Sequence, residues 1–453
     1  MAGDAAGGRR SPAAVASWVF VVVWLLYAAA TQWSVVRFRV VIVLALTVAA
    51  VAVAVWLGRH SRVALVPVVG AAVLAGSALV TASVPLWTYV RGGWLIACYV
   101  LLIGLPLAVA GAVLTRPHRV SARALVLAAI AGQALLVTLA VLGDRAPRID
   151  VWVVLQQASD VLGQGHNIYA AHWVGSPGDK DSFPYLPWTA VLLAPGRWLA
   201  GDVRWALGAW TLVSLAGFLR LCGPRRNAAV AAGVGIAAVA LIAFPGTLTL
   251  FDQAWTEPLL FTGILWWALL VREDRAWWAV VPLGLALASK QHVALLLPLA
   301  LVWRRFGVAR TLATGALAGL LSLPWFLASP RDFIHDAVSG SVQSRPLRFA
   351  DTWYLVFYND LHLTLPFWVV GVVVLGVLAA AVMVVRRRQP GVAELLRWGA
   401  LVLLVANVVN KQAFYNQYWL SAALVIASVA VDAAGSPELR QRRAAGSVPA
   451  TPA

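Results

Sequence analysis

The stretch Pro184-Tyr-Leu-Pro-Trp-Thr-Ala-Val-Leu-Leu-Ala-Pro-Gly-Arg197 decides how the chain is threaded. Counted as a membrane crossing, it sends every later arginine cluster to the wrong side. Counted as a segment that enters and returns, it keeps them together. Pro184, Pro187 and Pro195 interrupt the run, and irregular backbone at membrane depth is tolerated only where protein or a water-filled cavity covers it. The reading is therefore a re-entrant or half-inserted segment that borders a cavity.

The composition around it excludes a soluble globular protein: 61% of the 453 residues are hydrophobic and 12% are charged. About fourteen apolar runs follow one another, near 14–31, 39–57, 63–84, 94–115, 124–142, 205–222, 228–244, 256–271, 277–289, 291–303, 311–328, 364–385, 394–409 and 417–433. Several are shorter than the ~20 residues of an untilted span. The expected fold class is an all-α polytopic membrane protein. The first run follows Arg9 and Arg10 without a small-residue cleavage site and is read as an uncleaved first helix. Cys98 and Cys222 both fall in or at the end of apolar runs, which argues against a disulfide framework or a cysteine metal site. The net charge of +17 sits largely in short loops. It reports topology and contact with lipid headgroups, not nucleic acid.

Arg59 and Arg62, Arg116, Arg119 and Arg123, Arg225 and Arg226, Arg304, Arg305 and Arg310, Arg386 to Arg388, and Arg440, Arg442 and Arg443 mark the cytoplasmic side. Both termini then lie inside. The tail 435–453, rich in Ala, Arg, Pro and Ser, is expected to be disordered. The outer side owns the long connections 143–203, 245–255 and 329–363, the short 410–416, and His166, His172, His292, His335 and His362. Chemistry on a substrate is expected at the outer face of the cell membrane.

Four polar groupings interrupt the apolar sequence there. Asp150 opens an amphipathic stretch in which Val151, Val154, Leu155, Ala158, Val161 and Leu162 share one face, with Gln156, Gln157 and Asp160 opposite. Asp150 suits a helix N-cap, and a carboxylate at the water–lipid boundary also suits a general base. Lys290, in Ala288-Ser-Lys-Gln-His292, lies between two apolar runs and either snorkels or meets an anion such as a lipid phosphate. Asp252, Gln253 and Glu257 precede a span, where Asp252 is either a cap or part of a polar cavity. Asn410-Lys-Gln-Ala-Phe-Tyr-Asn-Gln-Tyr418 is either an interfacial turn or a binding surface. The Asp179-Lys-Asp181 pattern is too short to argue for a metal and reads as a solvated loop.

In order and in shared outer position, over residues 143–420, these groupings resemble the GT-C glycosyltransferases, membrane enzymes that take a sugar from a polyprenyl phosphate. The nearest likeness is to actinobacterial family 87 mannosyltransferases, and a more distant one is to the first mannosyltransferase of GPI-anchor synthesis. The resemblance implies a GT-C-like bundle with Asp150 as catalytic base and with Lys290, His292 and Lys411 at the donor phosphate. It places His166, Tyr169, Tyr185, Asp252, Gln253, Glu257, Asn410, Gln417 and Tyr418 around sugar or acceptor. It implies inverting transfer of a sugar, commonly mannose, from the polyprenyl-phosphate donor to a hydroxyl of a lipid or glycan. The partners are then donor, acceptor and membrane lipids, without cofactor or metal. Two departures stand out. Five apolar runs precede Asp150, so residues 1–120 look like an added membrane module before a catalytic domain at 121–434, and His166-Asn167-Ile168 replaces the small polar residues usual before the tyrosine. A transporter or flippase is the alternative, but it would be expected to carry midplane charges in repeated halves, and neither is visible.

Overall fold

The computed structural model describes residues 12–35, 37–59, 63–222, 228–340 and 345–435. The tail from 436, and Arg9, Arg10, Arg62, Arg225, Arg226, Arg440, Arg442 and Arg443, lie outside the described residues. The described chain is helical throughout and contains no strand. Five long helices come first: α1 (Pro12–Trp33), α2 (Val40–Arg59), α3 (Pro67–Ser83), α4 (Gly92–Thr115) and α5 (Ala122–Gly143). Then come α6 (Asp150–Gly163), α7 (Trp188–Ala200), α8 (Val203–Leu221), α9 (Ala228–Ile242), α10 (Thr247–Asp252), α11 (Glu257–Arg272) and α12 (Val280–Ser289). The remainder is α13 (Leu297–Val302), α14 (Gly307–Ala328), α15 (Pro330–Ile334), α16 (Trp353–Asp360), α17 (Phe367–Arg388), α18 (Val392–Val409) and α19 (Tyr415–Ala433).

Each expected apolar run falls on a helix, but only α1, α2, α4, α5, α14, α17 and α18 are long and apolar enough to cross a membrane by themselves. These helices carry exposed apolar flanks, including Val22, Val100, Leu320 and Leu375, each more than 60% exposed, as lipid-facing surfaces do. α11, α19 and residues 232–242 of α9 are buried nearly all round, which makes them the centre of the bundle. Helix ends follow local chemistry. Asp202 caps α8 by accepting the Arg204 N–H at 2.8 Å, Thr352 caps α16 through the Leu355 N–H, and Gly201, at φ +80°, ends α7 in a left-handed turn that favours glycine.

Contacts sort the connections to two ends of the bundle. At one end Asp351 accepts the Arg39 N–H, Thr88 and Tyr89 donate to Asp252, and the Leu186 N–H reaches the Ser289 carbonyl. At the other end Arg272 donates to the carbonyls of Ala434 and Gly435, Arg397 pairs with Asp432, and Trp303 Nε1 donates to the Pro390 carbonyl at 2.8 Å. The decisive segment 184–197 returns to the end it started from. Trp188 Nε1 donates to the Leu321 carbonyl and Thr189 to the Ser289 carbonyl at its start, while Arg197 pairs with Asp160 at its finish. At 13 residues, α7 is about 20 Å long, short of the ~30 Å hydrocarbon core.

Residues 280–302 form a helical hairpin made of α12, the 3₁₀ turn 291–296 and α13. Lys290, in extended conformation (φ −153°, ψ 132°), is its apex. α12 runs alongside α14, with Arg310 over the Trp277 ring at 5.3 Å and Gly284 packed against Leu317. A cavity of about 610 Å³ opens between α1, α2 and the α18–α19 pair, lined mainly by Val, Ala and Trp side chains and remote from the polar end of the bundle.

Candidate active site

Asp150 is the first residue of α6, where Ile149 occupies the cap position without a side-chain bond. The expected N-cap role is therefore not the one found. One carboxylate oxygen, Oδ1, accepts the Val151 N–H at 2.8 Å, and the backbone N–H of Asp179 also stands close enough to favour the charged form. Burial pushes the carboxyl above its ordinary range, and these N–H donors pull it back. The amphipathic reading of α6 needs one correction: Gln156 is buried, donating to the Gly201 carbonyl and accepting the Val203 N–H, because α6 packs on α7 and α8 on that side. Asp160, on the same polar side, pairs with Arg197.

Across from α6, Glu257 opens α11 with its side chain fully enclosed, and Lys290 Nζ meets it at 2.6 Å. The ammonium also lies 5.4 Å above the Tyr185 ring and 3.4 Å from the Thr256 hydroxyl. Asp150, Glu257 and Asp179 all stand near enough to Tyr185 for their charges to push its phenol further up after burial has raised it. Tyr185 is thus the point on which the carboxylate of α6 and the ion pair of α11 and α12 converge. Around Glu257 several buried polar atoms have no protein partner among the described residues: Gln253 Nε2, Glu257 Oε2, His292 Nε2, the Tyr415 hydroxyl and Asn416 Oδ1. Native interiors leave few such atoms, so a cluster of them asks for a polar guest.

Residues 183–408 match the sequence profile of glycosyltransferase family 87. The chain belongs to that family. The all-α architecture expected from the sequence is the one found among the described residues. The family 87 match contains Tyr185, Glu257 and Lys290 and begins beyond Asp150 and Asp179, so the two aspartates are argued from geometry alone. Among solved structures, ArnT from Cupriavidus metallidurans bound to undecaprenyl phosphate is similar at a TM-score of 0.43 and 16% identity, over 71% of this chain and 62% of that one. This chain thus spans less than two thirds of that relative's length, and no residue role is carried across. Among curated proteins none matches.

The other residues singled out from the family 87 sequence divide by their partners. His292 joins the Glu257–Lys290 corner, whose charges act on it. Tyr169 is buried, donates its hydroxyl to the Tyr185 carbonyl at 2.8 Å and packs on Phe183 and Phe333. Asp252 is enclosed beside the fully buried Arg204, which pairs with Asp202 at 2.7 Å, and it accepts the Thr88 hydroxyl at 2.7 Å. Tyr418 donates to the Asp351 carbonyl and Gln417 accepts the Phe414 N–H, so both fasten the start of α19. Asn410 accepts the Lys411 N–H, both half-buried, and His166 is exposed.

Sequence reasoning passed over Tyr415 and Asn416, which stand between the named Asn410 and Gln417. A helix beginning at Tyr415 turns residues 415, 416, 418 and 419 inward and leaves 417 half-exposed, so the helix start was the missing signal. The Asp179-Lys-Asp181 pattern splits: Asp179 turns toward Asp150, while Asp181 pairs with His172 in solvent at 2.9 Å. Among the described residues no group of His, Cys, Asp and Glu is arranged to hold a metal ion, and the two cysteines are buried and form no disulfide.

Proposed function

We propose that the protein transfers a sugar from a polyprenyl-phosphate donor to a hydroxyl of a lipid or glycan, with inversion at the anomeric carbon. The observation that carries the reading is the convergence of Asp150 and the Glu257–Lys290 pair on Tyr185, in a chain of family 87. Asp150 takes the proton of the acceptor hydroxyl, and the oxygen then attacks the anomeric carbon as the bond to the phosphate breaks. Partial burial makes this carboxylate a stronger base than an exposed one, which suits proton abstraction near neutrality. Lys290 has three N–H donors, and those directed at Glu257 and Thr256 leave one for a phosphate oxygen of the departing lipid. The phosphate already carries its charge, so a fixed cation meets the need that a metal would otherwise serve. The partnerless polar atoms around Glu257 offer both donors and acceptors, as a ring bearing several hydroxyls requires. Mannose is the donor sugar that the family likeness suggests.

The arginine-bearing end of the bundle, with Arg59, Arg116, Arg304 and Arg386 to Arg388, is assigned to the cytoplasm. Asp150 and Lys290 then face the outer side. The test is transfer of labelled sugar from polyprenyl-phosphate donors by purified protein, with Asp150→Asn beside it. The variant should insert normally, bind donor and turn over ~10²–10⁴-fold more slowly. Wild-type turnover would remove Asp150 from the reaction, and solute flux in vesicles without any sugar transfer would favour a transporter.

A further inference from the structure

The loop 171–187 holds Asp150 from the side opposite α6. Its fold is closed by Trp173, which is buried, takes the Lys180 carbonyl on its backbone N–H at 2.7 Å and the Ser182 carbonyl on its indole N–H at 2.8 Å. Gln157 of α6 grips the same loop twice, donating to the Val174 carbonyl at 2.7 Å and accepting the Val174 N–H at 2.9 Å. Asp336 fixes the far side by accepting the Phe183 N–H at 2.8 Å. A surface loop with this many fixed points has a conformation to keep.

What the loop presents to the carboxylate is a glycine and an N–H. A methyl group built on Gly178 would fall 2.2 Å from Asp150 Oδ2, 2.9 Å from its Cγ and 3.1 Å from its Cβ. No residue larger than glycine fits there without moving the carboxylate or the loop. The neighbouring Asp179 backbone N–H stands close enough to the Asp150 carboxylate to favour its charged form. We propose that Gly178 and Asp179 are positioning residues of the transfer reaction, the first making room for the Asp150 carboxylate and the second setting its orientation through its backbone N–H.

This inference rests on Asp150 being the base. The charged and titratable groups around that carboxylate are Asp179 and, beyond it, Asp336 with His335, Tyr185 from the same loop, and Tyr89 and Arg148 from the α3–α4 and α5–α6 connections. Asp179 keeps an exposed edge, yet its carboxyl is pushed up to about 6, by burial first and then by Asp150 and Asp336.

Three variants of the full chain, compared in detergent by transfer rate, separate the possibilities. Gly178→Ala should lower kcat by at least ~10-fold, since displacing a reacting group by about an ångström costs up to ~10²-fold, with donor KM unchanged. Asp179→Pro removes the backbone N–H and should likewise lower kcat with donor KM unchanged. A merely structural loop would lower the yield of folded protein without this fall in kcat at unchanged KM. Asp150→Asn decides the underlying reading: if it is dead while Gly178→Ala turns over normally, positioning fails and the base assignment stands. Wild-type kcat in Asp179→Pro overturns the orienting role even where Gly178→Ala does not fold. If Asp150→Asn is active, both readings fall.

Discussion

Replacing Lys290 is the obvious probe of the proposed donor site, and the structure shows why the single substitution misleads. Lys290 is 13% exposed and its partner Glu257 is fully enclosed. Removing the ammonium leaves an uncompensated carboxylate in the centre of the bundle, a change that costs about 3–5 kcal/mol. Lys290→Ala should therefore lower the unfolding midpoint and the yield whether or not Lys290 ever meets a phosphate. Replacing both partners by neutral groups of similar shape, Lys290→Met with Glu257→Gln, should restore most of that stability. The double variant would still lack a charged hydrogen-bond donor, worth about 1.5–3 kcal/mol, or about 10–150-fold in affinity. Donor titration at fixed acceptor, together with thermal unfolding followed by tryptophan fluorescence, measures both quantities. Wild-type donor affinity in the double variant would leave Lys290 with a structural role alone. Wild-type stability in Lys290→Ala would refute the buried pair.

Other consequences can be checked on the same preparation. Burial pushes the Asp351 carboxyl up to about 8, against the Arg39 N–H that lowers it. The neutral form is favoured in the fold, so its stabilising contribution is present below the unfolded value near 4 and is lost as pH rises through about 8. Thermal midpoints should fall across that window in the wild type and flatten in Asp351→Asn. Arg204→Ala strands Asp202 and Asp252 and should cost at least about 3 kcal/mol, read as loss of folded protein in size-exclusion profiles. Tyr169→Phe removes one hydrogen bond and should lower stability by about 0.5–1.5 kcal/mol while donor KM stays within twofold. For the topology, cysteines placed at the exposed Lys180 and Arg387 should label from outside and inside respectively; the reverse pattern overturns the assigned orientation.

Much of this arrangement was legible because the bilayer simplifies the sequence. A carboxylate or a lysine between apolar runs is costly enough to announce itself, which is how Asp150, Glu257 and Lys290 stood out. Proline spacing and arginine parity were enough to read 184–197 as non-crossing. Partnership was not legible. Tyr169, Asp252 and Tyr418 look like ligand-binding side chains in sequence, yet each is spent on an internal bond to a segment 16 to 164 residues away. Such pairings depend on which loops share an end of the bundle, and nothing local records that. The weak Asp179-Lys-Asp181 pattern hid its meaning for the same reason, since only the folded loop brings Gly178 and Asp179 onto Asp150. The expected division at residue 120 meets a similar difficulty: Tyr89, from the α3–α4 connection, donates its hydroxyl to the Arg148 carbonyl just ahead of α6.

The hairpin at 280–302 sets a depth. With Gly284 level with Leu317, Lys290 comes level with about residue 323 of α14, which continues to Ala328. The apex is therefore recessed by about 7 Å below the rim that α14 makes. A long hydrocarbon chain anchored in the bilayer resists being drawn toward water, by about 0.8 kcal/mol for each methylene that leaves the apolar layer. A phosphate received in a pit can be met near the level where it floats, with the bilayer thinning beside the short helices instead of the lipid rising. If Lys290 receives the donor as proposed, the half-length helices reduce the work of lifting it to the ammonium, and extending α12 by a turn would lift Lys290 and add to that work.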